Sequence, residues 1–113
     1  MKFSFNYRKR KIELDLRVFN WIERFFGLMF TRKKNAKALL FDFKKPGRVP
    51  IHSWFVFFPF VAVWLDDENK IIDVKTIRPF TLLISPKKPF CKIIEIPINE
   101  KYKQVIELLN LRS

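Results

Sequence analysis

His52 is the only histidine in the chain, and an imidazole with an ordinary pKa near ~6.5 is well suited to carry a proton near neutrality. Arg24, Asp66 and Arg78 are the charged residues that would join it in an enzyme or small-ligand site. General acid–base chemistry needs such partners within hydrogen-bond reach, and the sequence does not place them there. In an apolar run between Ile51 and Trp54, the commoner role is a core histidine bonded to backbone. Cys91, the single cysteine, is a nucleophile only if folding brings it to His52; a strand cysteine is ordinarily a small buried hydrophobe. One His and one Cys leave too few ligands for a transition-metal centre, so neither metal nor cofactor is expected. Asp66, Asp67 and Glu68 lack the spacing of a calcium loop and read as a solvated turn. With only two glycines, the chain has no P-loop, dinucleotide fingerprint or serine nucleophile elbow.

The remaining chemistry is electrostatic. The chain of 113 residues carries 23 Lys and Arg against 11 Asp and Glu, a formal charge of +12. Residues 1–37 hold eleven of those cations against three acids, or +8, and residues 38–113 hold twelve against eight, or +4. Such an excess argues for association with polyanions, anionic surfaces or acidic partners. Arg8, Lys9, Arg10, Lys11, Arg32, Lys33, Lys34, Lys44, Lys45 and Arg48 fall in expected loops and hairpin tips, with Lys2, Lys37, Lys87 and Lys88 beside them. Converging on one rim, they would bind phosphates while exposed aromatics stacked on bases. Plain solvating surface is the competing role, Phe3, Phe5 and Tyr7 can equally face a core, and no RNP-type signature is present.

These residues must be positioned by short strands. Phe3, Phe5 and Tyr7 alternate with polar residues, as do Ile12, Leu14 and Leu16, and Arg8 to Arg10 break the pattern: a β-hairpin with a basic tip. Val18, Trp21, Ile22, Phe25 and Phe26 then share one helical face, predicting a helix over 18–26 ended by Gly27. Residues 39–43 read as a strand, and Pro46-Gly47 as a type II turn within 44–48. Residues 51–65 are the centre of the core. They are too few for a membrane helix, which needs about twenty apolar residues, and Pro59 divides them into two strands. A turn at 66–70 joins 61–65 to 71–77 as a hairpin. Residues 81–84 are extended, 85–89 form a basic loop, and 90–96 form a strand ended by Pro97. Asn99 suits the cap of a helix over 100–110, whose apolar stripe is Tyr102, Val105, Ile106 and Leu109. The expectation is a single mainly β domain, a small barrel or sandwich with one short helix in the N-terminal half and one at the C-terminus. With 49% hydrophobic residues and fourteen Phe, it has the material for one core. The basic start lacks a secretory apolar segment, and the cysteine content fits a reducing compartment, so cytoplasm is expected.

Arg24 before Gly27-Leu28-Met29-Phe30-Thr31-Arg32, Leu39-Leu40-Phe41-Asp42-Phe43, and His52-Ser53-Trp54 through Phe58-Pro59-Phe60 to Trp64-Leu65-Asp66 follow one another in this order. Arg78-Pro79-Phe80 and Ile93-Ile94-Glu95-Ile96-Pro97 complete the series. In order and spacing, over roughly residues 12–97, the chain resembles the domain of unknown function 192 family, also called uncharacterised protein family 0127. The resemblance implies a mainly β domain and no activity. Val61 stands where the family pattern has an acid and Phe57 where it often has a base, so a polar site built from those groups would be weakened here.

Three functions compete on this reading. One is a small basic β module that binds nucleic acid or another polyanion. The second is a small-ligand or enzymatic site near His52, and the third a protein-interaction module using an apolar face of the central strands or the C-terminal helix.

Overall fold

In the computed structural model, which describes residues 1–19, 37–47, 58–80, 84–86 and 88–109, the alternating apolar residues of the N-terminus form an antiparallel hairpin. Its strands are β1 (Lys2–Tyr7) and β2 (Arg10–Phe19), with Tyr7 opposite Arg10. The sheet continues through β3 (Ala38–Gly47), β4 (Phe60–Leu65), β5 (Ile71–Ile77) and β6 (Phe90–Pro97), in the spatial order β1-β2-β3-β6-β4-β5. Among these strands β2 and β3 pair in parallel, and β3–β6, β6–β4 and β4–β5 are antiparallel.

The sheet curls into a half-barrel until its two edges touch. Asn6 of β1 donates its backbone N–H to the Asn69 carbonyl at 3.0 Å and forms an isolated parallel bridge with Lys70. The concave side collects Phe5, Ile12, Leu14, Leu16, Leu40, Val61, Val63, Leu65, Ile94 and Ile96. The convex side of the central strands is buried too, through Leu39, Phe41, Phe60, Ala62, Trp64 and Ile93, together with Phe58. Apolar residues on both faces explain why 60–65 shows no inside/outside alternation: every residue of β4 is buried.

A 3₁₀ turn (Glu100–Tyr102) leads into helix α1 (Lys103–Leu108), which crosses the open side of the half-barrel. Tyr102, Val105, Ile106 and Leu109, the expected stripe, pack on the concave core. Tyr102 does more than fill space. Its hydroxyl accepts a hydrogen bond from the Ala38 N–H and donates one to the Asp15 carbonyl, both at 2.8 Å. These are the backbone groups just before the first parallel pair, Leu16 opposite Ala38. The phenol thus extends the ladder where the two strands diverge. At the surface, Lys101 reaches Asp15 at 3.6 Å, and the N-terminal ammonium bonds the same carboxylate at 3.0 Å. That ammonium holds the Asp15 carboxyl below the ordinary carboxylate range.

Three expectations need correction. The expected helix does not begin at 18: Val18 and Phe19 close β2, opposite Leu40 and Phe41, because a β-branched residue such as Val18 fits a parallel ladder as well as it fits a helical stripe. Of the expected N-terminal-half helix, residues 20–26 lie outside the described residues. Residues 44–47 do not form a separate turn but remain in β3, whose register with β6 jumps from Asp42–Lys92 to Gly47–Phe90. Pro46 sits in that irregular stretch, the kind of place in a sheet that tolerates a missing N–H. Asn99 precedes the 3₁₀ turn, yet its side chain makes no capping hydrogen bond. The hairpin turn expected at 66–70 and the strand expected over 90–96 are present, β6 running one residue further to Pro97, and the expected strand over 51–58 falls outside the described residues except for Phe58.

Candidate functional site

The basic tip is built from the turn upward. Arg8 and Lys9 are the two central residues between Tyr7 and Arg10, and both have positive φ, 49° and 63°. Two-residue hairpins with both centres at φ > 0 match the right-handed strand twist, but they favour Asn-Gly because a Cβ in the left-handed region is strained. Here two cations occupy them. Arg8, Lys9, Arg10 and Lys11 are all exposed, so four consecutive cations project where the chain reverses. The Arg8 guanidinium lies 5.1 Å from the centre of the Tyr7 ring. Lys11 has a carboxylate partner in Glu13, at 3.6 Å.

Beside the tip a cleft of about 670 Å³ is lined by Tyr7, Arg8 and Arg10 of the hairpin and by Gln104, Glu107 and Leu108 of α1. The helix stands there because its inner residues Val105 and Ile106 pack into the half-barrel, leaving Gln104, Glu107 and Leu108 to face the hairpin tip. Leu108, the apolar side chain of α1 in that lining, is 42% exposed.

The other expected site residues are dispersed. Asp66 works for the turn: its Oδ1 accepts the N–H groups of Glu68 at 2.8 Å and Lys70 at 2.9 Å. Asn69 in the same turn has φ 60° and binds the Lys92 ammonium at 2.6 Å. Arg78 follows Ile77, whose partner is Phe60, so it stands at the opposite end of the β4–β5 hairpin from Asp66, roughly 20 Å away at ~3.3 Å per residue. Next to Arg78, Phe80 is 57% exposed with φ 61°, a strained conformation for an aromatic residue. Lys44 and Lys45 fall in β3, on a different strand from the tip. His52, Arg24, Arg32, Lys33, Lys34 and Arg48 lie outside the described residues. Cys91 is buried, and burial pushes its thiol up, which keeps it protonated and unreactive. Among the described residues no group of three His, Cys, Asp or Glu could hold a metal ion.

One residue escaped the sequence reading. Glu95 lies on β6 between Leu39 of β3 and Ala62 of β4 and is the one buried charged residue among those described. Its alternation with Ile94 and Ile96 puts it on the convex face with Ile93, and loss of water raises its carboxyl pKa to about 8. The signal was available in Ile93-Ile94-Glu95-Ile96-Pro97: an acid in an apolar strand whose faces are both covered has no side on which to meet water. The buried Trp64 indole N–H, on the same face one pair along, has no hydrogen-bond partner among the described residues.

The family model described as Uncharacterized ACR, COG1430 (DUF192) matches residues 6–109. A UPF0127 protein of Pyrococcus abyssi is 32% identical over 79 residues, which span 70% of this chain and 67% of that one. A UPF0127 protein of Thermococcus kodakarensis is 34% identical over 79 residues, covering 69% of this chain and 50% of its own length. Among solved structures, a protein of Sinorhizobium meliloti described as a candidate transcription regulator superposes with a TM-score of 0.70 at 20% identity, over 90% of this chain and 81% of that one. A protein of unknown function from Novosphingobium aromaticivorans gives 0.70 at 12% identity, over 96% and 77%. Both likenesses concern the fold. The match over 6–109 and the archaeal relatives together place this chain in the DUF192 (UPF0127) family.

Proposed function

We propose that the protein is a polyanion-binding module whose primary contact is the β1–β2 tip, with nucleic acid as the polyanion. The observation that supports this is the identity of the two residues at positive φ. A hairpin selected for stability alone would place Asn or Gly there; Arg8 and Lys9 instead keep charge at the point of greatest projection, at a conformational cost of order 1 kcal/mol each. Neither they nor Arg10 has a carboxylate within ion-pair distance among the described residues, so the charge is available to phosphate. The test is oligonucleotide binding by fluorescence anisotropy for the wild type and an Arg8→Asn, Lys9→Gly variant. The variant is expected to lose about ten-fold or more in affinity at low salt while folding normally; equal affinity of the two proteins would refute the reading.

A second reading, a small-ligand site, draws on Glu95 and Trp64. A carboxyl and an indole N–H buried on one face of an otherwise apolar layer are the kind of convergent polar groups that orient a ligand. A Glu95→Gln variant that keeps every ligand-induced thermal shift of the wild type would dismiss it.

A further inference from the structure

The cleft between the hairpin tip and α1 contains a carboxylate that a pure phosphate groove would not keep. Glu107 lines it together with Arg8 and Arg10, yet no ion pair joins Glu107 to either arginine among the described residues. A carboxylate in the path of a phosphate chain repels it; a carboxylate facing a base edge accepts N–H donors. We propose that this cleft holds one unstacked guanine of a single-stranded nucleic acid. The proposal rests on the polyanion reading of the tip and adds the chemistry that would be recognised beside it.

Each wall has a role in that arrangement. The Arg8 guanidinium, laid over the Tyr7 ring, offers a planar cationic surface on which a base can stack, as aromatic and guanidinium planes do in single-strand readers. Leu108 supplies apolar contact to the base. Arg10, next to the cleft on β2, meets the flanking phosphate. Two parallel N–H groups, N1–H and one from N2, run along the Watson–Crick edge of guanine, and the two oxygens of Glu107 match that pair; Gln104, one turn earlier on α1, can donate its amide to O6. Adenine offers no such pair to a carboxylate, and inosine lacks the N2 amino group. A base in duplex keeps this edge occupied, so the cleft selects single strands.

The experiment uses the full chain and labelled oligothymidylates that differ in one central base, dG, dI or dA, with a matching duplex as a fourth probe. The dG probe is expected to bind roughly ten-fold more tightly than dA, with dI close to dA and the duplex weaker than the single strand. Glu107→Gln is expected to abolish the preference for dG and, by removing a carboxylate that repels phosphate, to bind the dA probe at least as tightly as the wild type does. Equal affinity for dG, dI and dA, or a duplex bound as tightly as the single strand, would overturn the guanine site and leave the tip reading standing. Absence of binding to every probe at low salt would overturn both.

Discussion

Two buried side chains set the chemistry of this molecule at the scale of single residues, in opposite senses. Tyr102 is satisfied: its hydroxyl closes the gap between the Asp15 carbonyl and the Ala38 N–H. Replacing it with Phe leaves the buried Ala38 N–H and the partly buried Asp15 carbonyl without that partner, and the expected loss is about 1–3 kcal/mol in denaturant unfolding. A change within a few tenths would mean that water reaches those groups. Glu95 is the opposite case, a carboxyl pushed up from 4.5 to about 8 by burial. Below pH 4.5 the folded and unfolded chains both carry its proton and stability is full. As pH rises from there toward 8 the unfolded chain ionises while the folded chain holds its proton, so stability falls; above about 8 the loss levels off. At about 1.4 kcal/mol per unit, the loss amounts to a few kcal/mol. Glu95→Gln is therefore expected to remove this decline and to melt higher than the wild type at pH 8. A wild-type stability curve that rises between pH 5 and 8 and is unaltered by the substitution would contradict it.

Elements show which features a sequence exposes. Strands whose apolar residues alternate against one core, β1 and the start of β2, can be read directly, and so can the β4–β5 hairpin, because Asp66 and Asn69 belong in turns. The helical C-terminal stripe is also legible, since Tyr102, Val105, Ile106 and Leu109 share one face. What stayed hidden depends on partners far away in the chain. Val18 satisfies a helical period as well as a parallel ladder, and only β3 decides between them. The 44–47 stretch has turn composition yet follows β6 through an irregular register. The left-handed pair Arg8-Lys9 carries no compositional sign of its turn type, which is why the tip was legible as a charge but not as a strained conformation. That strain gives a prediction: the Arg8→Asn, Lys9→Gly variant should be more stable than the wild type by about 1–2 kcal/mol while binding less, measured by chemical denaturation beside the binding assay. Asp66→Ala should do the reverse, costing about 1 kcal/mol through the two N–H groups it releases and leaving oligonucleotide affinity unchanged.

For the whole molecule, the half-barrel is a scaffold that keeps a charged hairpin and a short helix at a fixed distance. Concave and convex cores clamp β3, β6 and β4 from both sides, while the backbone link between β1 and the β5 edge runs through Asn6 to Asn69 and Lys70, just before β5. A charge of +12 attracts anions to the surface, and in the proposed function the tip is where they settle. No helix among the described residues is long and apolar enough to cross a membrane. The central claim, that the three tip cations without a carboxylate partner, Arg8, Lys9 and Arg10, neutralise phosphates, is tested most directly by the salt dependence of oligonucleotide affinity. Three phosphate contacts on a single strand predict that log K falls against log salt with a slope of about −2, reduced by roughly 1 to 1.5 in the Arg8→Asn, Lys9→Gly variant; a slope identical in the two proteins would contradict the account.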